Sequence, residues 1–199
     1  MGLGMETGWH VATAAEAIVA AQFARLGFDV AVQYGANQPE YDLTVTRGDD
    51  AQQLKISVKG SNDGGWGLTQ TFLQRAAKAR NQAYKTENPD KPPPKAVLTP
   101  DDYHRAADEW LKKHKAKTAL CLVQFIQVPF DQMPHVYLAT PAEIAQRLKD
   151  SRGGFGDSAL KWNLTRGPKA KGAGTVESLP DEWRISEARV VEVMKALGI

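Results

Sequence analysis

Asp42, Ser57 and Lys59 are the residues of this sequence whose types and spacing best fit chemistry. Residues 41–47 and 53–59 each alternate in polarity, which predicts two β-strands joined by a turn at Gly48-Asp49-Asp50. Side chains alternate faces along a strand, so Asp42, Thr44 and Thr46 share one face of the first segment. Lys55, Ser57 and Lys59 share one face of the second, while Tyr41, Leu43, Val45, Leu54, Ile56 and Val58 take the opposite faces. Two hairpin registers keep polar against polar. One sets Asp42 opposite Ser57, and the other, shifted by two, sets Asp42 opposite Lys59. Either gathers an acid, a hydroxyl and an amine with β-carbons roughly 5–7 Å apart. A carboxylate can hold Mg²⁺, and a nearby ammonium can serve an attacking water or the charge developing on a phosphate. This is what metal-dependent phosphodiester cleavage requires. The plainer reading is an exposed Asp–Lys cross-strand pair, contributing under about 1 kcal/mol.

These strands need elements to hold them. Residues 13–26 are Ala-rich, with Ile18, Val19, Phe23 and Leu26 as an apolar face, and predict a helix stopped by Gly27. Thr13-Ala14-Ala15-Glu16 fits a capping box, with Glu16 bonding back to the helix start. A helix that begins near Gly8 or Trp9 places Glu16 in its interior instead. Residues 28–34 predict a strand, so three strands with short connections form an antiparallel meander. A Gly-rich loop over 60–67 holds Trp66, and helices follow over 71–84 and from Thr99 to about 114, the second opened by Thr99-Pro100-Asp101-Asp102. Strands are expected over 118–128 and 135–139. A helix follows from a second capping signature, Thr140 with Glu143, then an irregular Gly-rich stretch over 151–180, then a last helix over about 186–197. The order predicts a mixed α/β or α+β fold. Residues 1–140 form the expected core, and 141–199 a C-terminal helical extension with a basic Gly-rich loop, packed on the same domain.

The net charge of +2 hides an asymmetry. Residues 1–54 carry two basic against seven acidic side chains, residues 55–117 thirteen against seven, and residues 118–199 ten against nine. An acidic segment before a basic one suits an acidic metal site beside a polyanion-binding surface. On the helix over 71–84, Gln74, Lys78, Asn81, Gln82 and Lys85 recur at helical spacing, flanked by Arg75 and Arg80. Such a face can contact phosphates, or it is the solvated side of an amphipathic helix. The loop 166–171 is a second basic candidate, as a DNA-contacting arm or a connector. Trp66, beside Lys59 in sequence, is the tryptophan placed to stack on a base or sugar. The others are expected in the core or a lid.

The run Ala14-Ala15-Glu16, Leu26-Gly27-Phe28, Tyr41-Asp42-Leu43 and Ile56-Ser57-Val58-Lys59-Gly60 resembles the PD-(D/E)XK nuclease superfamily, over about residues 10–60. That group has the restriction-endonuclease-like fold and includes Holliday-junction resolvases. The resemblance implies that Asp42 holds Mg²⁺ or Mn²⁺ with help from the Val58 carbonyl. It also implies that Lys59 orients or activates water and that Glu16 completes the site from the first helix. Tyr41 replaces the motif's Pro. Ser57 stands where Glu or Asp is expected and brings no charge, so the missing acid has to come from elsewhere, with Glu16 and Asp63 as candidates. The implied function is a metal-dependent DNA endonuclease of repair, recombination, restriction or mobile-element defence. The alternative is a catalytically inactive module on the same fold that binds nucleic acid or a protein partner. Many relatives are homodimers.

Composition excludes other classes. Hydrophobic residues make up 42% of 199, enough for a core. The single cysteine, Cys121, rules out an intrachain disulfide framework or a cysteine zinc site. The four histidines lack metal-ligand spacing, and no Gly-rich phosphate loop appears. No apolar run approaches the roughly 18 residues of a membrane span. The first residues resemble neither a secretion signal nor a myristoylation site, so a soluble cytoplasmic protein is expected.

Overall fold

In the computed structural model, residues 7–33, 41–48, 52–94, 98–114, 117–170 and 172–199 are described. The chain order is α1 (Gly8–Arg25), β1 (Asp29–Val32), β2 (Leu43–Thr46), β3 (Leu54–Ser61), β4 (Gly65–Gly67), α2 (Gln70–Glu87), α3 (Pro100–Leu111), β5 (Thr118–Gln124), β6 (His135–Ala139), α4 (Pro141–Asp150), β7 (Ala159–Lys161), β8 (Asn163–Thr165), β9 (Val176–Ser178), a 3-10 turn (Asp181–Trp183) and α5 (Glu187–Ala196). The fold is mixed α+β. Among the described residues no helix is long and apolar enough to cross a membrane.

The chain forms two compact units. One comprises Met1–Trp66, His114–Glu143 and Leu179–Ile199, and the other Gly67–Lys113 and Ile144–Ser178. This interleaving differs from the contiguous 1–140 and 141–199 segments expected. The physical reason is the parallel pairing of β3 with β5, which needs a long return connection. Here that connection contains α2 and α3. The segment after 140 is also not purely helical, since β7, β8 and β9 form within the stretch read as irregular.

The first unit is built on a five-stranded sheet of order β1-β2-β3-β5-β6. β1, β2 and β3 run antiparallel in succession, β5 is parallel to β3, and β6 is antiparallel to β5. One sheet face carries Leu43, Val45, Leu54, Ile56, Val58, Ala119, Cys121, Val123, Val136 and Leu138, which share a core with Ala15, Val19 and Phe23 of α1 and Val190 and Val193 of α5. The buried stripe of α1 is Val11, Ala15, Val19 and Phe23, a strict every-fourth-residue pattern. β5 is buried at every position, as a central strand should be. Arg189 of α5 locks this unit from within. Its guanidinium reaches both Glu143 carboxylate oxygens at 2.7 and 2.8 Å, and its Nε donates to the Leu138 carbonyl at 3.0 Å. Glu143 in turn closes the predicted capping box with Thr140.

In the second unit Asp102 is buried at the start of α3. It caps Thr99, pairs with Arg105 at 3.0 Å and with Arg80 of α2, and so ties the two helices. A second ionic cluster joins Arg152, Asp157, Arg166 and Glu177, and the Arg152 guanidinium lies against the Tyr103 and Phe155 rings.

Candidate active site

Helix α1 starts well before Thr13. Thr7 is its N-cap, accepting from the His10 N–H, so Glu16 is an interior residue and the capping-box reading of Thr13 and Glu16 fails. The helix can lie close to β3 because residue 60 is glycine. A β-carbon added there would stand 2.8 Å from the Val11 carbonyl oxygen and 2.8 Å from its Cγ1, and 3.0 Å from the Ala15 β-carbon. Glu16 follows Ala15, and Lys59 precedes Gly60. The crossing leaves Glu16 within reach of the Lys59 charge, although Lys59 itself points to the sheet face away from α1.

The β2–β3 ladder pairs Leu43 with Ile56 and Thr44 with Lys55. This is the register in which Asp42 stands opposite Ser57. Alternation from the buried Ile56 and Val58 places Ser57 and Lys59 on the opposite face of β3. Asp42 precedes β2. Its N–H donates to the Ile56 carbonyl at 2.8 Å, and its Oδ2 accepts from the Val58 N–H at 2.5 Å. The carboxylate is thus fixed against the backbone of β3. Tyr41, in the motif's proline position, lies against Lys55, whose Nζ is 5.0 Å from the ring centroid.

Electrostatics links the three charged groups. Burial holds the Glu16 carboxyl above the usual carboxylate range, the Asp42 charge pushes it further up, and the Lys59 charge partly offsets both. A carboxyl whose ionised form is disfavoured by burial and by a neighbouring acidic charge is a place where added positive charge is stabilised. Ser57 is buried and neutral. The Asp63 Oδ1 accepts from the Ser61 hydroxyl at 2.9 Å and the Gly65 N–H at 3.0 Å, closing the turn after β3. Among the described residues, no three His, Cys, Asp or Glu side chains are gathered as a metal-binding group.

The predicted nucleic-acid contacts fare differently. Arg75, Lys78 and Lys85 are exposed on α2, in the second unit. Arg80 is committed to Asp102. Trp66 is buried, 3% exposed, and its indole N–H donates to the Lys59 carbonyl at 2.9 Å. It supports the backbone of the lysine and has no free face for a base, which corrects the stacking expectation. Arg166 is likewise held by Asp157 and Glu177 rather than carried on a free arm. Lys171 lies outside the described residues.

Two features were not anticipated from sequence. The sequence marks Gly60 only as part of the motif, and its packing role needs the helix to be in place. Trp9, grouped with the core tryptophans, is 71% exposed. Its position in the first turn of α1, before the buried stripe begins at Val11, was the available signal. Comparison of the chain with protein-family models, with curated proteins and with solved structures gives no match.

Proposed function

We propose that this chain is a Mg²⁺-dependent endodeoxyribonuclease on a restriction-endonuclease-like frame, a member of the PD-(D/E)XK group. The observation that carries the reading is the Asp42 carboxylate held at 2.5 Å on the Val58 N–H, one residue from Lys59, with both of their charges felt by the Glu16 carboxyl of α1. Each of the three has a role in the resemblance, and α1 and β3 with the start of β2 supply them. The order of one helix, three antiparallel strands and a further strand beyond two helices supports it as well.

The donor set suits Mg²⁺, which uses one or two carboxylates and keeps several waters. Asp42 and Glu16, with the Val58 carbonyl, would hold it, and the ion would supply positive charge to the phosphate and a more acidic bound water. Asp42 is oriented for this by the Val58 N–H. Lys59 places an ammonium beside the attacking water and the oxygens that gain charge as the P–O bond breaks. Water adds to phosphorus and gives up a proton to solvent, the bond from phosphorus to the sugar oxygen breaks, and that oxygen takes a proton from solvent to leave as a hydroxyl. Cleavage of duplex, branched and single-stranded DNA with Mg²⁺ or Mn²⁺ tests the reading. We expect nicking or scission by the parent chain, and a folded parent that cuts none of these refutes it.

Ser57 favours a second reading. A buried neutral hydroxyl at the motif's second acidic position fits a binding module that has lost catalysis. Salt-sensitive DNA binding that is the same with Mg²⁺ and with a chelator, and no cleavage, is its signature.

A further inference from the structure

Helix α2 buries little of itself. Of its 18 residues, Leu73 is the one that is buried. It packs antiparallel to α3. Arg80 pairs with Asp102 in the first turn of α3, and Lys113, just past the end of α3, puts its Nζ 4.6 Å from the centroid of the Phe72 ring near the start of α2. Helical spacing sets Thr71, Arg75, Lys78, Gln82 and Lys85 on a stripe about 80° wide, opposite Leu73, with Arg75 and Lys85 roughly 15 Å apart along the axis. All five are exposed. The Arg75 guanidinium also lies 6.0 Å from the Phe72 centroid, so one ring gathers two cations and the stripe continues to Lys113.

The sign of this stripe is uniform. Elsewhere in the unit cations are matched by acids: Arg105, Lys112 and Lys149 pair with Asp102, Glu109 and Asp108, and Arg152 and Arg166 share Asp157. The sole acid of α2 is Glu87, its last residue. Among the described residues, Arg75, Lys78, Lys85 and Lys113 pair with no carboxylate. A helix surface that serves only solubility interleaves both signs.

We infer that Arg75, Lys78 and Lys85, with Lys113, form a docking surface for the phosphodiester backbone of duplex nucleic acid. The inference rests on the charge of the second unit and not on the metal site, so it goes beyond the nuclease reading. A row of one sign fits a partner with a row of the other, and a duplex carries one negative charge per about 1.7 Å of its axis. A protein partner is held by apolar and aromatic anchors, and none of the large hydrophobic residues found exposed lies on α2. The same observation disfavours single strands, whose bases stack on exposed rings. Thr71 and Gln82 add donors that phosphate oxygens accept. Contacts of this kind carry no sequence information.

The test is binding of the full chain, in a chelator, to fluorescently labelled DNA and RNA duplexes of two unrelated sequences across a series of salt concentrations. Lys78→Gln combined with Lys85→Gln should weaken binding at least 10-fold or so at low salt, and should lower the slope of log affinity against log salt by about 2. The effect should be equal for both sequences, with an unchanged melting temperature. Lys78→Arg combined with Lys85→Arg should keep the parent's affinity and slope. Tighter binding of DNA or of RNA supports the surface and names the source of the backbone. A parent chain that binds no duplex at low salt overturns the inference, as does tighter binding of single strands than of duplex. Equal affinity for polyglutamate at the same salt overturns it in favour of an acidic protein segment. Duplex binding that depends on the two lysines, in a chain that cuts no DNA, supports the inference while the nuclease reading fails. A double Gln variant that binds and cuts like the parent overturns the inference and leaves that reading standing.

Discussion

The Val58 N–H donates to the Asp42 carboxylate at 2.5 Å, so the acid that begins β2 is clamped to the strand that carries Lys59. This contact makes the relative position of acid and lysine a property of the backbone. Such charge-assisted bonds are short and about twice as strong as neutral ones. They also complicate mutagenesis, because alanine at 42 would strand the Val58 donor.

Asp42→Asn keeps an acceptor for Val58 and removes the charge. Metal-dependent cleavage should fall by on the order of 100-fold or more, with a melting temperature close to the parent's. Lys59→Ala should do the same, and Lys59 is exposed, so its loss should cost little stability. Cleavage assays paired with thermal melts check both, and retained activity in either variant removes that residue from the mechanism.

Gly60→Ala should destabilise the protein by about 1–3 kcal/mol, as overpacking does. The new β-carbon meets the Val11 backbone, which has no flexible end to yield. Urea midpoints read the cost. An unchanged midpoint would mean that α1 does not lie as close to β3 as described.

Glu16 sets a pH dependence. Its folded pKa is raised, so the native state binds the proton more tightly than the unfolded chain does. Its contribution to stability is present below the unfolded pKa and lost as pH rises through the folded value. Glu16→Gln should therefore raise the melting temperature at neutral pH relative to the parent and narrow the difference in acid. Mg²⁺ should stabilise the parent at neutral pH more than it stabilises Glu16→Gln. Calorimetry across pH with and without Mg²⁺ reads this, and identical profiles for the two proteins contradict the assignment.

Asp102 predicts the opposite slope in the second unit. The Arg80 hydrogen bond, opposed by burial and aided by Thr99, holds its carboxyl at about 2. Stability from this group is present above the unfolded pKa and lost as pH falls through about 2, a change of about 2 kcal/mol. Asp102→Asn should lose that acid dependence. Acid melts followed by helical circular dichroism would expose a wrong assignment as unchanged slopes.

Arg189→Ala should destabilise by about 3–5 kcal/mol, because it leaves Glu143 without its bidentate partner and the Leu138 carbonyl without its donor. Denaturant unfolding measures it. A loss below about 1 kcal/mol, the scale of a surface pair, would show that the clamp is not holding α5.

Local chemistry was legible wherever neighbours in sequence decide the outcome. Thr99 with Asp102 and Thr140 with Glu143 announced two helix starts because a capping box is closed within four residues. The period-two pattern of 41–47 and 53–59 announced the hairpin because its faces must sort into buried and exposed. It also narrowed Asp42 to two registers. Choosing between them took the whole sheet, since the turn residues leave both open and only the packing of Leu43 and Ile56 against α1 selects one. The start of α1 was ambiguous for a similar reason. Thr7 and Thr13 can both cap, and it is the burial of Val11 against Gly60 that extends the helix and turns Glu16 from a cap into a neighbour of Asp42. Trp66 is buried and Trp9 exposed, the reverse of expectation, because an indole's environment depends on which surfaces other elements cover and not on its own chain neighbours. Residue types and short spacings thus determined what the chain can do locally. Which groups meet across α1, β2 and β3 was decided only by tertiary packing, which acts between residues far apart in sequence.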